Sequence, residues 1–200
     1  MDNIFGNYTE IPGGTHGLFS SSLLKSQIAG HLWDVKVCTV ATSGGTTTYT
    51  PIAVDNGVGV KVLGFTHEDG GLQERYGKIA GVADKIGVTG SPAIVKDALL
   101  KSQEDETYFY HKPGQLAKVY EVEGDEFDPD IFGVGLHQFT NPTAVVEDAY
   151  VVVNGNGGWT AMTTKPSTST YGFIGQVHSI LKGMFYTIVN IATIQNKDVN

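Results

Sequence analysis

The densest group of side chains able to do chemistry is a run of carboxylates at residues 121–130. It holds six acidic residues, namely Glu121, Glu123, Asp125, Glu126, Asp128 and Asp130. Oxygen-rich loops bind Ca²⁺, and the candidate cation ligands are Asp125, Asp128 and Asp130. The spacing departs from an EF-hand loop, because Phe132 and Phe139 stand where two ligands belong. We predict a solvated strand and turn without a metal; a surface cation site and a pair of catalytic carboxylates are the alternatives.

No other reactive residue type has the spacing of a catalytic or metal site. Zinc ligands on one helix or loop are commonly about three to five residues apart, and no two of the six histidines are that close. The one cysteine, Cys38, lies in an apolar run, which favours a small buried side chain. The glycine pairs at 57–59 and 133–135 lack the further glycine of a dinucleotide-binding loop. We therefore predict that the chain is not an enzyme and takes no cofactor.

The charge balance argues against nucleic acid as a partner. The 200-residue chain has 21 acidic and 13 basic residues, a net charge of −8, and one arginine, Arg75. Phosphate backbones are bound by basic surfaces, and no Lys or Arg occurs between Lys118 and Lys165. An anionic membrane would be repelled in the same way. A membrane-spanning helix needs about 18 consecutive apolar residues, and no stretch of this sequence is close to that length. The N-terminus also has no signal-peptide pattern. We therefore expect no membrane partner either.

Aromatic side chains could instead form a platform for sugars. The candidates are Trp33, Trp159 and the run Tyr108-Phe109-Tyr110. Tryptophan in a β-rich chain more often belongs to the core. Glycan binding is therefore an alternative to the main prediction.

Short β-branched runs separated by glycine turns predict an all-β fold. Residues 35–39 alternate between apolar and other side chains, and residues 46–50 are threonine and tyrosine, which suit a half-buried pleated sheet. Asn56-Gly57 is a tight-turn signal. Seven or more such runs, in a chain with 26 glycines, indicate a small barrel or sandwich with long loops. At most one or two short helices are expected, one of them at Ser91–Lys101 after a Ser-Pro start.

Residues 1–30 differ from the rest of the chain in their sequence pattern, because glycine, proline and serine clusters typical of loops interrupt their short apolar groups. We predict an N-terminal arm, 1–32, followed by a β-rich domain, 33–200. A division of that domain into small β subdomains at 33–103 and 104–200 is the alternative. An exposed apolar arm needs a partner surface, and the contact candidates are Ile4, Phe5, Leu18, Phe19, Leu23 and Leu24.

Several phrases, taken in order, resemble a family of tailed-bacteriophage structural proteins, the head decoration or capsid cement proteins. The resemblance covers roughly residues 50–195. The arm and the loop Phe132–Thr143 depart from the family pattern. The phrases are Asp55–Gly64, Glu74-Arg75-Tyr76, Ile86–Pro92, Tyr110–Phe127 and Phe173–Val177.

The resemblance implies a virion protein that decorates and stabilises the outer surface of a phage capsid by bridging major capsid subunits. The implied partners are the major capsid protein and, on the capsid lattice, further copies of the chain. Assembly in the host bacterial cytoplasm suits a lone, reduced cysteine. The family implies no catalytic residues. A tail or baseplate adaptor and a host-surface glycan-binding module remain the alternatives.

Overall fold

The computed structural model describes residues 16–21, 24, 32–66, 74–90, 110–124, 127–183 and 186–199. In these ranges the chain is all-β, which confirms the predicted fold class, and its only helical elements are the short 3₁₀ turns Leu136–Gln138 and Pro142–Ala144. The helix predicted at Ser91–Lys101 lies outside the described residues. The strands are β1 Phe19–Ser20, β2 Leu32–Ser43, β3 Thr46–Pro51, β4 Val54–Asp55, β5 Gly59–Phe65, β6 Glu74–Ile79, β7 Gly87–Gly90, β8 Tyr110–His111, β9 Leu116–Glu121, β10 Ile131–Gly135, β11 Tyr150–Val153, β12 Trp159–Met162, β13 Phe173–Lys182 and β14 Thr187–Asn196.

Five strands close into a small barrel. Their order is β2-β6-β5-β7-β9, and β9 returns to pair with β2. The β2–β6 pair is parallel and the other four pairs are antiparallel. An odd number of strands cannot alternate in direction around a closed ring, so one parallel pair is unavoidable. Closure leaves these five strands without free edges over their paired lengths.

Small apolar side chains fill the barrel. Its buried cluster consists of Val35, Val37, Val54, Val60, Ala117 and Val119. At Gly77 there is no room for a side chain, because a Cβ there would lie 2.5 Å from Cγ1 of Val35 and 2.9 Å from Cγ1 of Val60. The interior is therefore narrow, and its diameter depends on a glycine in β6.

A second, six-stranded sheet packs against the outside of the barrel. Its strand order is β1-β10-β14-β13-β11-β12, and every pair is antiparallel. Its core centres on three aromatic rings, since Trp159 lies 5.5 Å from both Phe132 and Phe173 between ring centroids. Ile86 and Val88, from the barrel side, belong to the same buried cluster. The second core therefore lies between the two sheets.

The barrel and the second sheet draw their strands from the predicted arm and from both predicted subdomains. Phe19–Ser20 pairs with β10 and forms the edge of the second sheet. The barrel takes β9 from the 104–200 half and its other four strands from the 33–103 half. Both halves of that division therefore contribute strands to one closed barrel.

An ion-pair cluster fastens the C-terminal segment to the barrel. The Lys61 ammonium on β5 lies 2.8 Å from Oδ1 of Asp84 and 2.7 Å from Oδ1 of Asp198. The hydrogen bonds that Lys61 donates to Asp198 and Asp84 raise the pKa of Lys61. The bond from Lys61 lowers the pKa of Asp198, and at Asp84 burial is opposed and outweighed by hydrogen bonds from Lys61, Gly81 and Lys78, so its pKa is also lowered.

The tight contact at Gly77 gives a test of the barrel. Gly77→Ala should lower the free energy of unfolding by about 1–3 kcal/mol, because the added methyl group overpacks the interior. Gly64→Ala on β5 is the matched control, since a Cβ there meets no atom within 4 Å. Urea denaturation of the two variants measures the difference. Equal stability of the two would contradict the packing described for the barrel.

The ion-pair cluster gives a pH-dependent test. Asp198→Asn should lower the free energy of unfolding at pH 7 by about 0.5 kcal/mol, a small value because the Asp198 side chain is 51 % exposed. A carboxylate with a lowered folded pKa stabilises above its unfolded value and loses that contribution as the pH falls. The difference from the unaltered chain should therefore shrink below the ordinary value of 3.8.

Urea titrations at pH 7 and pH 3 measure that difference. Glu147→Gln, which removes an exposed carboxylate outside the cluster, is the control and should change stability little at either pH. A destabilisation by Asp198→Asn that persists undiminished at pH 3 would show that the loss is not electrostatic.

Candidate interaction site

A β-hairpin projects from the barrel and is the most distinctive surface feature of the described chain. The first half of β2 belongs to the barrel, whereas residues 38–43 pair with β3 alone, from Cys38 opposite Pro51 to Ser43 opposite Thr46. The turn is Gly44-Gly45, with φ values of +57° and +80°. Two successive positive φ angles match the twist of a two-residue hairpin turn, which favours glycine at both positions.

The hairpin presents two different faces. Side chains directly opposite each other share a face, and alternation along each strand defines the two sets. One face is small and mostly hydroxylated, with Thr39, Ala41, Ser43, Thr46, Thr48 and Thr50. The other face has larger side chains, namely Val40, Thr42, Thr47 and Tyr49. Every residue from Thr39 to Thr50 is exposed except Tyr49, which is half-buried.

A ring stack anchors the hairpin to the barrel. The ring of Tyr49 lies 3.9 Å from that of Tyr76 on β6, with an angle of 1° between the ring planes. Two-stranded hairpins are marginally stable alone in water. The Tyr49–Tyr76 stack and the continuation of β2 into the barrel therefore hold the hairpin in one direction.

The projecting hairpin has no charge. No Asp, Glu, Lys or Arg occurs between Lys36 and Asp55. Among the described residues, neither outer edge of the hairpin beyond Cys38 pairs with another strand. Free edges are usually protected by lysine, proline or a bulge, and here Pro51 at the base is the one such residue. An uncharged, open-edged hairpin is suited to adding its strands to a partner's sheet.

The acidic segment is not organised around a cation in the described structure. Asp125 lies outside the described residues, and Asp128 is exposed. Asp130 is buried, its Oδ2 accepts a hydrogen bond of 2.8 Å from the Glu123 amide, and its own amide donates to the Glu123 carbonyl at 2.8 Å. Asp130 thus closes the turn, as a structural carboxylate does. Within the described ranges, no group of three His, Cys, Asp or Glu side chains could hold a metal ion.

The contact candidates of the arm are divided by the structure. Ile4, Phe5 and Leu23 lie outside the described residues. Leu18 is 3 % exposed and Leu24 is 6 % exposed, and both belong to the chain's own core. Phe19 packs on the same core, with its ring 4.9 Å from that of Tyr120. The apolar side chains of Leu18 and Leu24 therefore have a partner surface within this chain, which removes the reason for assigning them to an external one.

A polar cluster, which no sequence motif indicates, holds the described end of the arm; we call it the clasp. Nδ1 of His16 lies 2.8 Å from Oδ1 of Asp55, and the His16 ring stacks on Tyr110 at 5.2 Å. Nε2 of His137 lies 3.1 Å from the His16 carbonyl. Gln138 completes the clasp, since its Oε1 accepts from the Leu18 amide at 2.9 Å.

These contacts join residues 39 to 121 positions apart. No short spacing could have revealed them.

A second buried histidine lies beside these contacts. Nε2 of His111 is 3.2 Å from Oδ1 of Asn56. Burial lowers the pKa of His111, and it also lowers the pKa of His137, more than their hydrogen bonds and the Asp55 charge raise them. The clasp therefore favours neutral imidazoles at both positions.

Trp159, Tyr110 and Cys38, three of the remaining sequence candidates, are buried or half-buried within the fold. Trp159 is fully buried, and its indole N–H donates to the Gly57 carbonyl at 2.8 Å. It therefore has no face for a sugar. Tyr110 is half-buried in the clasp, while Tyr108 and Phe109 lie outside the described residues. Cys38 is buried, as predicted.

Comparisons with known proteins return nothing similar to the chain. No family model, no curated protein and no solved structure matches it. In the described ranges, no helix is long and apolar enough to cross a membrane.

The clasp should respond to pH. Each imidazole with a lowered folded pKa binds protons less readily in the folded than in the unfolded state, so the free energy of unfolding falls as the pH falls through 6.5. His137→Gln retains an N–H donor for the His16 carbonyl and removes one such imidazole. We expect a smaller loss of stability between pH 7.5 and 5.5, measured by urea denaturation, than in the unaltered chain.

The control for this variant is His178→Gln, which removes an exposed histidine from β13. Its pH profile should follow that of the unaltered chain. If His137→Gln also leaves the profile unchanged, protonation of His137 does not oppose folding.

Proposed function

We propose that the chain is a structural virion protein that decorates and stabilises the outer surface of a phage capsid by bridging major capsid subunits. The observation that supports this most is the projecting hairpin at residues 38–51, which is uncharged, open at both outer edges and held in one direction by the Tyr49–Tyr76 stack. Such an element can extend a sheet of a neighbouring subunit through main-chain hydrogen bonds. The order of sequence phrases that resembles decoration proteins supports the same role.

The physical requirements of a cement protein are compatible with this architecture. A closed barrel packed against a second sheet is a rigid body, and a rigid body transmits force between the subunits that it bridges. Many copies on a symmetric lattice add avidity, so each contact can be weak. A net charge of −8 on an outer protein keeps particles apart.

In this proposal a shorter segment of the arm is the candidate capsid contact. Residues 16–20 belong to the fold through the His16–Asp55 contact and the pairing of β1 with β10. Deletion of residues 1–30 would therefore damage the fold as well as remove the arm. Truncation before His16 tests the arm as a capsid contact and retains those two interactions.

The decisive experiment is to image purified particles for this chain. A repeating density of the barrel and its packed sheet on the outside of the head supports the proposal, with the major capsid protein beneath it. The same density at the tail or baseplate would favour the adaptor instead. Absence of the chain from finished particles would overturn both functions.

The hairpin gives a sharper test of how the protein docks. Lysines placed by Ala41→Lys and Thr46→Lys lie on the small hydroxylated face and should prevent strand addition, as edge lysines do in natural sheets. We expect the variant to fold and to lose binding to undecorated particles in a co-sedimentation assay. The control, Thr164→Lys with Thr168→Lys, adds the same charge to an exposed loop and should bind normally.

Binding that is equally weak for both double variants would mean that added charge, and not the hairpin, decides docking.

Glycan binding has less support from the described structure, because Trp159 is fully buried. A glycan array provides the check, and saturable binding to a sugar would move the function to host-surface recognition.

A further inference from the structure

One end of the barrel carries an arginine that has no carboxylate partner in the part of the chain that the structure describes. Arg75 is the only arginine in a chain with 21 acidic residues. Its guanidinium carbon lies 3.9 Å from the ring centroid of Trp33 and 4.4 Å from that of Phe65. The nearby carboxylate of Asp34 is engaged elsewhere, 2.6 Å from the ammonium of Lys118. No ion pair of Arg75 exists among the described residues.

The strand order explains how this arrangement arises. β6 lies between β2 and β5, so Trp33 and Phe65 approach Arg75 from the two neighbouring strands. Arg75 is two residues before Gly77, whose Cα faces the barrel interior against Val35. Its side chain therefore belongs to the interior face at the end of the barrel. Aromatic rings flanking a guanidinium fix its orientation and restrict access to its edge.

Three polar atoms at this end have no hydrogen-bond partner although they are buried. They are Nε of Arg75, Nε1 of Trp33 and Oγ1 of Thr66. Thr66 is only 7 % exposed, and its amide donates to the Glu74 carbonyl at 3.1 Å, which places it beside Arg75. Buried donors are normally paired, so a group of unpaired ones needs an explanation. Each of these three groups can donate a hydrogen bond to an oxygen atom.

We propose that Arg75, Trp33 and Thr66 form a binding site for a carboxylate group. A guanidinium presents two parallel N–H donors that match the two oxygens of a carboxylate. Arg75 is half-buried and makes no side-chain hydrogen bond to another described residue, so a ligand can approach its guanidinium. The carboxylate could come from a small acid or from a polypeptide partner.

The site is independent of the proposed virion role, since it lies at the barrel end that carries Trp33, whereas the hairpin leaves from the other end of β2. A carboxylate contact of either origin would also satisfy donors that are otherwise left unpaired. The proposal can therefore be tested on the isolated chain, whatever the outcome of particle imaging.

Nuclear magnetic resonance offers a direct readout, because the single arginine gives a single side-chain Nε–H signal and the chain has only two indole signals. Acetate, titrated into the ¹⁵N-labelled full chain, should shift the Arg75 Nε and Trp33 Nε1 signals together and saturably. Acetamide, its neutral analogue, should not. A peptide with a free C-terminal carboxylate, compared with its amidated form, tests the polypeptide source.

Tighter binding of the free-acid peptide than of acetate assigns the site to a protein partner. Equal or weaker binding assigns it to a small acid, and both results support carboxylate recognition. Tighter binding of inorganic phosphate than of acetate would overturn it. So would shifts that do not saturate or that acetamide reproduces.

Two variants connect the signal to the residues. Arg75→Lys keeps the charge but loses the paired donors, and should weaken acetate binding about tenfold, as expected for one charge-assisted hydrogen bond. Thr66→Val removes a single donor from an otherwise similar side chain and should weaken it about threefold or more. Lys182→Gln, which removes an exposed cation from β13, is the control and should bind like the unaltered chain.

Normal binding by folded Arg75→Lys and Thr66→Val would show that the arginine only packs against its aromatic neighbours. If Arg75→Lys fails to fold, Thr66→Val decides alone.

Discussion

The turn at Gly57 is the point on which the two layers of this protein depend. Its amide donates to the Thr89 carbonyl on barrel strand β7 at 2.7 Å, and its carbonyl accepts from the indole of Trp159 in the second sheet at 2.8 Å. The residue has a φ of +72°, and a Cβ there would lie 2.4 Å from the Leu18 carbonyl. Only glycine allows that conformation and that close approach.

Three parts of the chain therefore meet at one residue, since the barrel, the aromatic core of the sheet and the N-terminal segment all contact Gly57 or its neighbour Asn56. The side chain of Gln138 links two of these parts. Its Nε2 donates to the Asn56 carbonyl, and its Oε1 accepts from the Leu18 amide. With this junction fixed, the exposed elements are the ones left free to act. The hairpin projects from this body, and Arg75 lies at one end of the barrel.

The fold class followed from the sequence because period-two alternation and glycine turns are local signals. The alternation of Val35 and Val37 defined an interior-facing strand, and Asn56-Gly57 defined a turn. The sequence pattern did not specify that five strands close into a barrel, since the β2–β9 pairing joins residues 80 to 88 positions apart. A list of apolar and polar residues does not determine which distant strands become neighbours.

The candidate sites were less accessible from the sequence. The hairpin could be recognised as two strands around Gly44-Gly45, but its projection depends on where the barrel ends. Among the described residues Arg75 makes no ion pair because Asp34, on the neighbouring strand, is paired with Lys118 instead, and spacing alone does not encode that choice of partner. Leu18 was predicted to contact a capsid but is buried in this chain's own core, because the sequence pattern of an apolar residue in a loop-like segment is the same whether its partner is external or internal.

The position of β1 has a consequence for the order in which the chain acquires its structure. The Leu18 amide and the His16 carbonyl find their partners 120 and 121 residues later. During synthesis these two groups therefore lack their partners until most of the polypeptide has left the ribosome, although His16 can meet Asp55 much earlier. Such distant contacts slow folding, and an apolar segment waiting that long is exposed to wrong partners. A segment that is made before its partners is therefore among the last to be put in place.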